Sequence, residues 1–363
     1  MCNSKLLSTT KRNNTKHYIV FRLFALLYIF TCLAGCGERN EQGVDNLHPD
    51  EDYPPVLALV VKDISNPYMQ RMFDGFQTAC AEVGAQSVLQ GPVTPSISGQ
   101  IEVIDDLIRQ EVSAIAVAAN DADALEDTLN RAMNNGIQVI SLDSAVNAKS
   151  RALHIQPADP EVIGRVLIQA AARMSRGSGQ IAVLSATPQA TNQNLWIEWM
   201  QRELKDYPES YEDIELKEIV YGDDVAGKSA EQARYLLETY PELDVVIAPT
   251  VIGMLSAGTV IEEQSSNVLL TGLGLPSEME RFIKSEICPW MYLWNPIEVG
   301  YLGAYAAKAL CDGVIDGQEG QTFVAGQLGT KIITEAFDGG MEVVLANPVK
   351  FDIDNISDWK SIY

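Results

Sequence analysis

Histidine is scarce in this chain: His17, His48 and His154 are the three it has in 363 residues. None stands at a spacing that pairs it with a nucleophile or a second ligand. His is the commonest general base and a common metal ligand, so hydrolytic and zinc chemistry lose their usual carriers. No phosphate-binding P-loop, zinc-ligand spacing or GxSxG elbow occurs either. No catalytic residues, metal or cofactor are therefore expected. Positive charge is also short, with 26 Lys and Arg against 49 Asp and Glu, a net charge of −23. That balance excludes a nucleic-acid partner, whose phosphates demand a basic face. The six cysteines lack metal-like spacing. The apolar run from about Ile19 to Leu33 is too short for a membrane span.

That run is placed as a signal peptide is. Residues 1–35 carry Lys5, Lys11, Arg12, Lys16 and Arg22 and no acid, and the apolar stretch follows. It ends Leu33-Ala34-Gly35-Cys36, which resembles the lipobox of bacterial lipoproteins. The resemblance implies cleavage before Cys36 and acylation of its thiol, several acyl chains giving the durable anchoring that one cannot. An ordinary secretory signal with a chance cysteine is the alternative. Gly37 after the cysteine resembles lipoproteins sent to the outer membrane, so a periplasmic, lipid-anchored location is expected. The processed chain would hold 21 cations against 49 acids, a charge of −28. Residues 36–55 are polar, acidic and end in Pro54-Pro55, which reads as a flexible tether. Cys80, Cys288 and Cys311 then remain; Cys80 and Cys311 fall on apolar helix faces and read as buried thiols.

The rest is organised around Val56–Gly84. Val56–Val61 is a continuous apolar run, the pattern of a strand buried on both faces. Asn66-Pro67 follows, then apolar residues at helical spacing from Met69 to Val83, closed by Gly84. This is half of a βαβ unit, and its turn, Lys62–Tyr68, lies where open α/β sheets bind ligands. Strand and helix then alternate, with strands at Ala85–Gln90, Ala114–Ala118 and Gln138–Leu142. The alternation restarts with a helix at Pro160–Ser175 and strands at Gly179–Leu184, Ile214–Tyr221, Val245–Ala248 and Val268–Gly272. A parallel sheet wound by right-handed crossovers is the consequence. Two such sheets of similar size account for Val56–Cys288, and Thr322–Tyr363 is the least legible part.

Nine stretches carry a family resemblance: VKDISNPY (61–68), GPVTPSISGQ (91–100), AANDADAL (118–125), SLDSAV (141–146), ATNQNLWIEWM (190–200), YGDD (221–224), VIAPT (246–250), TGLGLPSEM (271–279) and LWNPIEVGYLGAYAA (293–307). Together they resemble periplasmic sugar-binding proteins of the ribose-binding type. Within that class they are similar to the rhamnose-binding proteins of ABC importers and the receptors for autoinducer-2. The resemblance implies an α/β protein of two doubly wound parallel-sheet lobes with ligand held between them, the periplasmic binding protein type I fold. Lobe one would be 56–153 plus 296–325, and lobe two 157–292 plus part of 326–363. The crossings would fall near His154–Gln156 and Trp294-Asn295. A monomer that hands its sugar to an ABC permease is implied; a chemoreceptor or sensor kinase is the other partner class.

The implied ligand residues also make sense as chemistry. Asp143 ends a strand, and a fixed carboxylate accepts charge-assisted bonds from sugar hydroxyls; capping the next turn is its rival role. Lys62 ends another strand, where solvated lysine is the ordinary alternative. Asn192 and Gln193 both donate and accept, though Asn192 could serve only as an N-cap. The autoinducer receptors would carry Asp-Gln at this point, and Asn-Gln resembles the rhamnose type. Pro249 and Thr250 offer backbone groups at a strand end. Trp294-Asn295 would supply a stacking ring and an amide, a core tryptophan being the rival, and Tyr68 a second wall. A periplasmic enzyme lacks a nucleophile–base set here, and a sugar repressor would need a basic helix-turn-helix where the acidic tether stands.

If Cys36 is the acylation point, Cys36→Ser abolishes acyl labelling and leaves the protein unprocessed or released from membranes. Labelled, anchored Cys36→Ser protein would refute the lipoprotein reading.

Overall fold

The computed structural model describes residues 54–363. The signal segment 1–35, the acylation candidate Cys36 and the tether up to residue 53 lie outside the described residues. The chain runs β1 (Val56–Val60), α1 (Pro67–Glu82), β2 (Gln86–Gln90), α2 (Ile97–Arg109), β3 (Ala114–Val117), α3 (Glu126–Asn134), β4 (Gln138–Leu142) and β5 (Leu153–Ala158). It continues α4 (Pro160–Met174), β6 (Ser178–Ser185), α5 (Thr191–Asp206), β7 (Asp213–Tyr221), α6 (Ala226–Thr239), β8 (Leu243–Ala248), α7 (Val251–Glu263), β9 (Leu269–Gly272) and α8 (Pro276–Lys284). It closes with β10 (Trp290–Leu293), α9 (Pro296–Cys311), β11 (Thr322–Val324), β12 (Thr330–Ile332), β13 (Thr334–Glu335), β14 (Met341–Ala346), β15 (Val349–Asp352) and α10 (Ile356–Trp359).

The unbroken apolar run of β1 has a direct cause. Leu57, Leu59 and Val61 face one core with α1 and α9, while Ala58 and Val60 face a second core with α2 and α3. Both faces are covered, so no polar alternation survives. At the strand's end Asn66 Oδ1 accepts from the Tyr68 N–H at 2.9 Å and Pro67 occupies the first turn of α1. These are the capping and proline positions a helix start favours. Gly84, at φ +70°, ends α1, and the Ala85 N–H returns to the Cys80 carbonyl at 2.8 Å.

Two sheets result. The first has the order β13-β14-β5-β4-β3-β1-β2, parallel except for its edge strand β13. The second is β7-β6-β8-β9, all parallel. A parallel bridge between Leu273 and Tyr292 attaches the antiparallel pair β10–β15 to its β9 side. The first sheet is larger than expected for two reasons. His154–Gln156, read as a crossing segment, lies inside β5, which pairs with β4. The C-terminal segment, unreadable in sequence, contributes β13 and β14, with β14 parallel to β5.

β5 escaped notice because its face is polar yet buried. His154 Nδ1 is 2.8 Å from Ser141 Oγ, its Nε2 is 2.8 Å from Gln156 Oε1, and Gln156 Nε2 donates to the Ala158 carbonyl at 2.9 Å. Burial, then the nearby Arg151 cation, holds His154 down to about 3, so the imidazole is neutral near pH 7. The chain passes between the sheets after Ala158, at Trp294-Asn295, and at Asn347-Pro348 between β14 and β15.

Cys80 and Cys288 are buried and Cys311 is half-buried, all as free thiols. Burial pushes Cys80 up to about 12 and Cys311 up to about 11, far from reactive thiolates. Among the described residues, no helix is long and apolar enough to cross a membrane.

α9 follows the second crossing and packs on α1 of the first sheet. The two helices approach so closely that a Cβ on Gly300 would sit 1.7 Å from the Met72 carbonyl oxygen, and one on Gly75 1.8 Å from that of Ile297. These clashes are with backbone, which no rotamer change relieves. Gly300→Ala should therefore destabilise by about 1–3 kcal/mol through overpacking, read as a lower denaturant midpoint. An unshifted midpoint would mean that α9 is loosely held.

Candidate functional site

The carboxyl ends of the strands in both sheets converge on one cavity. Lys62 follows β1, Asp143 follows β4, Asp224 follows β7, and Pro249 and Thr250 follow β8. Asn192 and Gln193 lie in the first turn of α5, whose side chains face the same space as Tyr68 at the start of α1. Trp294 enters from the crossing after β10.

Asp143 is the hub. It takes the left-handed conformation at φ +62°, which aspartate tolerates better than most residues. Its carboxylate accepts from Tyr68 Oη at 3.1 Å, Ser144 Oγ at 3.1 Å and Asn192 Nδ2 at 3.2 Å, with Lys62 Nζ at 3.5 Å. These partners are side chains; the capping role open in sequence is not the one it plays. Lys62 and Asp143 are 7% and 5% exposed, so the lysine is not the solvated one its type favours. Two buried charges need each other and further hydrogen bonds, and both conditions hold here.

Tyr68 donates to Asp143 while accepting from Trp294 Nε1 at 2.7 Å. Burial and then the Asp143 charge drive its phenol well above the ordinary value, so it stays a donor. Trp294 meets Tyr68 edge-on, with ring centroids 6.5 Å apart, and tilts against Trp196 at 5.6 Å. Gln193 Oε1 accepts from Ser185 Oγ and the Ala186 N–H, both at 2.7 Å, which fixes the amide's orientation. Thr250 donates to Asp224, another left-handed aspartate, whose carboxyl is raised by burial against the opposing pull of Lys62 and the Thr250 bond.

Of the residues expected from the sequence, Lys62, Tyr68, Asp143, Asn192, Gln193, Pro249, Thr250 and Trp294 line this cavity together. Asn295 does not. Its Oδ1 accepts from the Ile297 N–H at 3.0 Å and caps α9, a role set by the proline at the next position. Asn66, Trp196 and Asp224 line the cavity without having been anticipated. The paired acids of YGDD, directly after a strand, were the available signal for Asp224. Trp196 looked like core because it sits on an apolar helix face; it is 2% exposed, and its indole N–H has no partner.

The cavity measures about 40 Å3, room for a few waters. Its polar groups reach for one another across the two sheets, as Asn192 does for Asp143.

Residues 57–314 match the family described as periplasmic binding protein domain. A solute-binding protein of an ABC transporter from Clostridium phytofermentas, solved with bound L-rhamnose, is 40% identical. The match covers 86% of this chain and 99% of that one, with a TM-score of 0.83. A sugar ABC transporter protein from Actinomyces odontolyticus is 34% identical over 84% of this chain and 97% of its own, at TM-score 0.67. LsrB from Clostridium saccharobutylicum, in complex with AI-2, shares the fold at 19% identity and TM-score 0.77, over 84% of this chain and 99% of that one. The interlobe cavity, the two wound sheets and these matches together show that the chain belongs to the periplasmic binding protein family of sugar ABC transporters.

Proposed function

We propose that the protein captures a rhamnose-like monosaccharide in the interlobe cavity and delivers it to an ABC importer from a lipid-anchored position outside the cytoplasm. One observation carries the reading: a buried carboxylate, Asp143, is ringed by donors from both sheets. The likeness to a protein solved with L-rhamnose supports the sugar class. A ligand hydroxyl would take over the place of Asn192 at Asp143, and sugar oxygens would accept from Lys62 and the Gln193 amide. The Trp294 and Trp196 rings would cover the apolar sugar face. At about 40 Å3 the cavity must widen to admit a sugar, so the lobes hinge apart at their crossings, the repertoire of ligand-closed proteins.

Binding without chemistry fits the site. Ser141 and His154 are in contact, yet Ser141 is 0% exposed and Gln156 occupies the other imidazole nitrogen. Ser141 is thus buried behind the imidazole, and both ring nitrogens of His154 are taken up by neighbouring side chains.

Calorimetry with L-rhamnose, preceded by mass spectrometry of any co-purified ligand, tests the proposal. Asp143→Asn keeps volume and removes charge. The difference between charged and neutral hydrogen bonds is on the order of 1.4 kcal/mol, about a tenfold weakening of affinity. Equal affinity would remove the carboxylate from the site. Asp143→Ala should in addition lower the ligand-free melting temperature, because Lys62 would be left buried and unpaired.

Trp196→Phe retains ring packing on Trp294 and deletes an unpartnered donor. A buried unsatisfied donor costs about 1–3 kcal/mol, so the ligand-free variant should melt at or above wild type while L-rhamnose binds more weakly. Lower stability with unchanged affinity would make Trp196 a core residue only.

A further inference from the structure

A second cavity, about 620 Å3 in volume, adjoins the first and shares Asp143 and Asn192 with it. The two spaces meet at the Asn192–Asp143 hydrogen bond, 3.2 Å long, the sort of contact a ligand atom displaces. Like the main cavity, the second is walled from both sheets: the loop after β4 and Arg151 on one side, Thr191, Asn194 and Glu198 of α5 on the other. Thr191 Oγ1 donates across it to the Ala145 carbonyl at 3.2 Å. The turn Ala336–Gly340 forms a third wall. Its volume lies in the range of small-molecule sites.

Its lining combines an exposed aromatic ring with buried and half-buried polar groups. Phe337 stands 67% exposed on the turn, a large apolar ring held in solvent at the groove's edge. Such a ring covers the C–H face of a sugar. Arg151 is 5% exposed; its guanidinium is fixed by Asp338, at 2.8 Å to each carboxylate oxygen, and by the Val146 carbonyl. Its Nε has no partner, a buried donor without an acceptor. On the opposite wall Glu198, paired with Arg202, and Asn194, whose amide donates to the Pro188 carbonyl, each keep an oxygen that could accept from a sugar hydroxyl.

We propose that this groove holds a second sugar ring joined glycosidically to the one in the main cavity, the linking oxygen accepting from the Asn192 amide while a ring hydroxyl donates to Asp143. The ligand is then of disaccharide size. The inference rests on the main cavity being a rhamnose-type sugar site.

Calorimetry on the wild-type protein would compare L-rhamnose with two disaccharides. One is joined through the anomeric oxygen of rhamnose and the other carries rhamnose at its reducing end. One of them should bind at least about tenfold tighter than L-rhamnose. Phe337→Ala and Glu198→Ala, neither of which lines the main cavity, should erase that gain and leave L-rhamnose binding unchanged. L-rhamnose binding with no gain from either disaccharide would overturn the groove alone. A gain that survives both substitutions would also overturn it, because the second ring would then lie elsewhere. Silence from all three sugars would overturn the underlying sugar reading, and the groove with it.

Discussion

A carboxylate taken out of water dictates the arrangement between the lobes. Asp143 is 5% exposed, and an uncompensated charge at that depth is unaffordable. Its compensation is drawn from far along the chain: Lys62 and Tyr68 from the first sheet, Asn192 from the second. The donors to the carboxylate come from both lobes, so one buried charge ties the two sheets together. Trp294 ties this to the crossing, since its indole N–H holds the Tyr68 hydroxyl that donates to Asp143.

Rigid support lies behind each donor. Asn66 caps the helix that begins with Pro67 and Tyr68, and the backbone-to-backbone approach at Gly75 and Gly300 locks that helix to α9. α9 itself starts immediately after Trp294. One packed pair of helices therefore positions both partners of the Trp294–Tyr68 bond, although 226 residues separate them. On the other lobe, Gln193 is pinned by Ser185 and Ala186 at the end of β6. Between the sheets the chain passes through three crossings, after Ala158, at Trp294-Asn295 and at Asn347-Pro348.

Much of this was legible where local pattern and burial agree. β1 reads as buried because its two faces meet two cores, and Asn66-Pro67 reads as a helix start because capping is a local interaction. β5 was illegible for the opposite reason. Its His154 and Gln156 are polar, and they are tolerable inside because Ser141 on a neighbouring strand and the Ala158 carbonyl complete their hydrogen bonds. Asn295 misled in the same way. A strand-end asparagine suits both a ligand and a helix cap, and only the geometry of Ile297 separates the two.

What the sequence determined by itself was the succession of βα units, the strand ends at which polar residues gather, and the acidic, histidine-poor composition. Those properties depend on near neighbours and on composition. The tertiary structure alone decided that β13 and β14 extend the first sheet, that the chain crosses three times, and that Asp224 and Trp196 face the same cavity as Asp143. Strand pairing across more than a hundred residues and the meeting of two lobes are non-local events. A pattern of side chains along one strand or helix carries no record of which distant partner completes it.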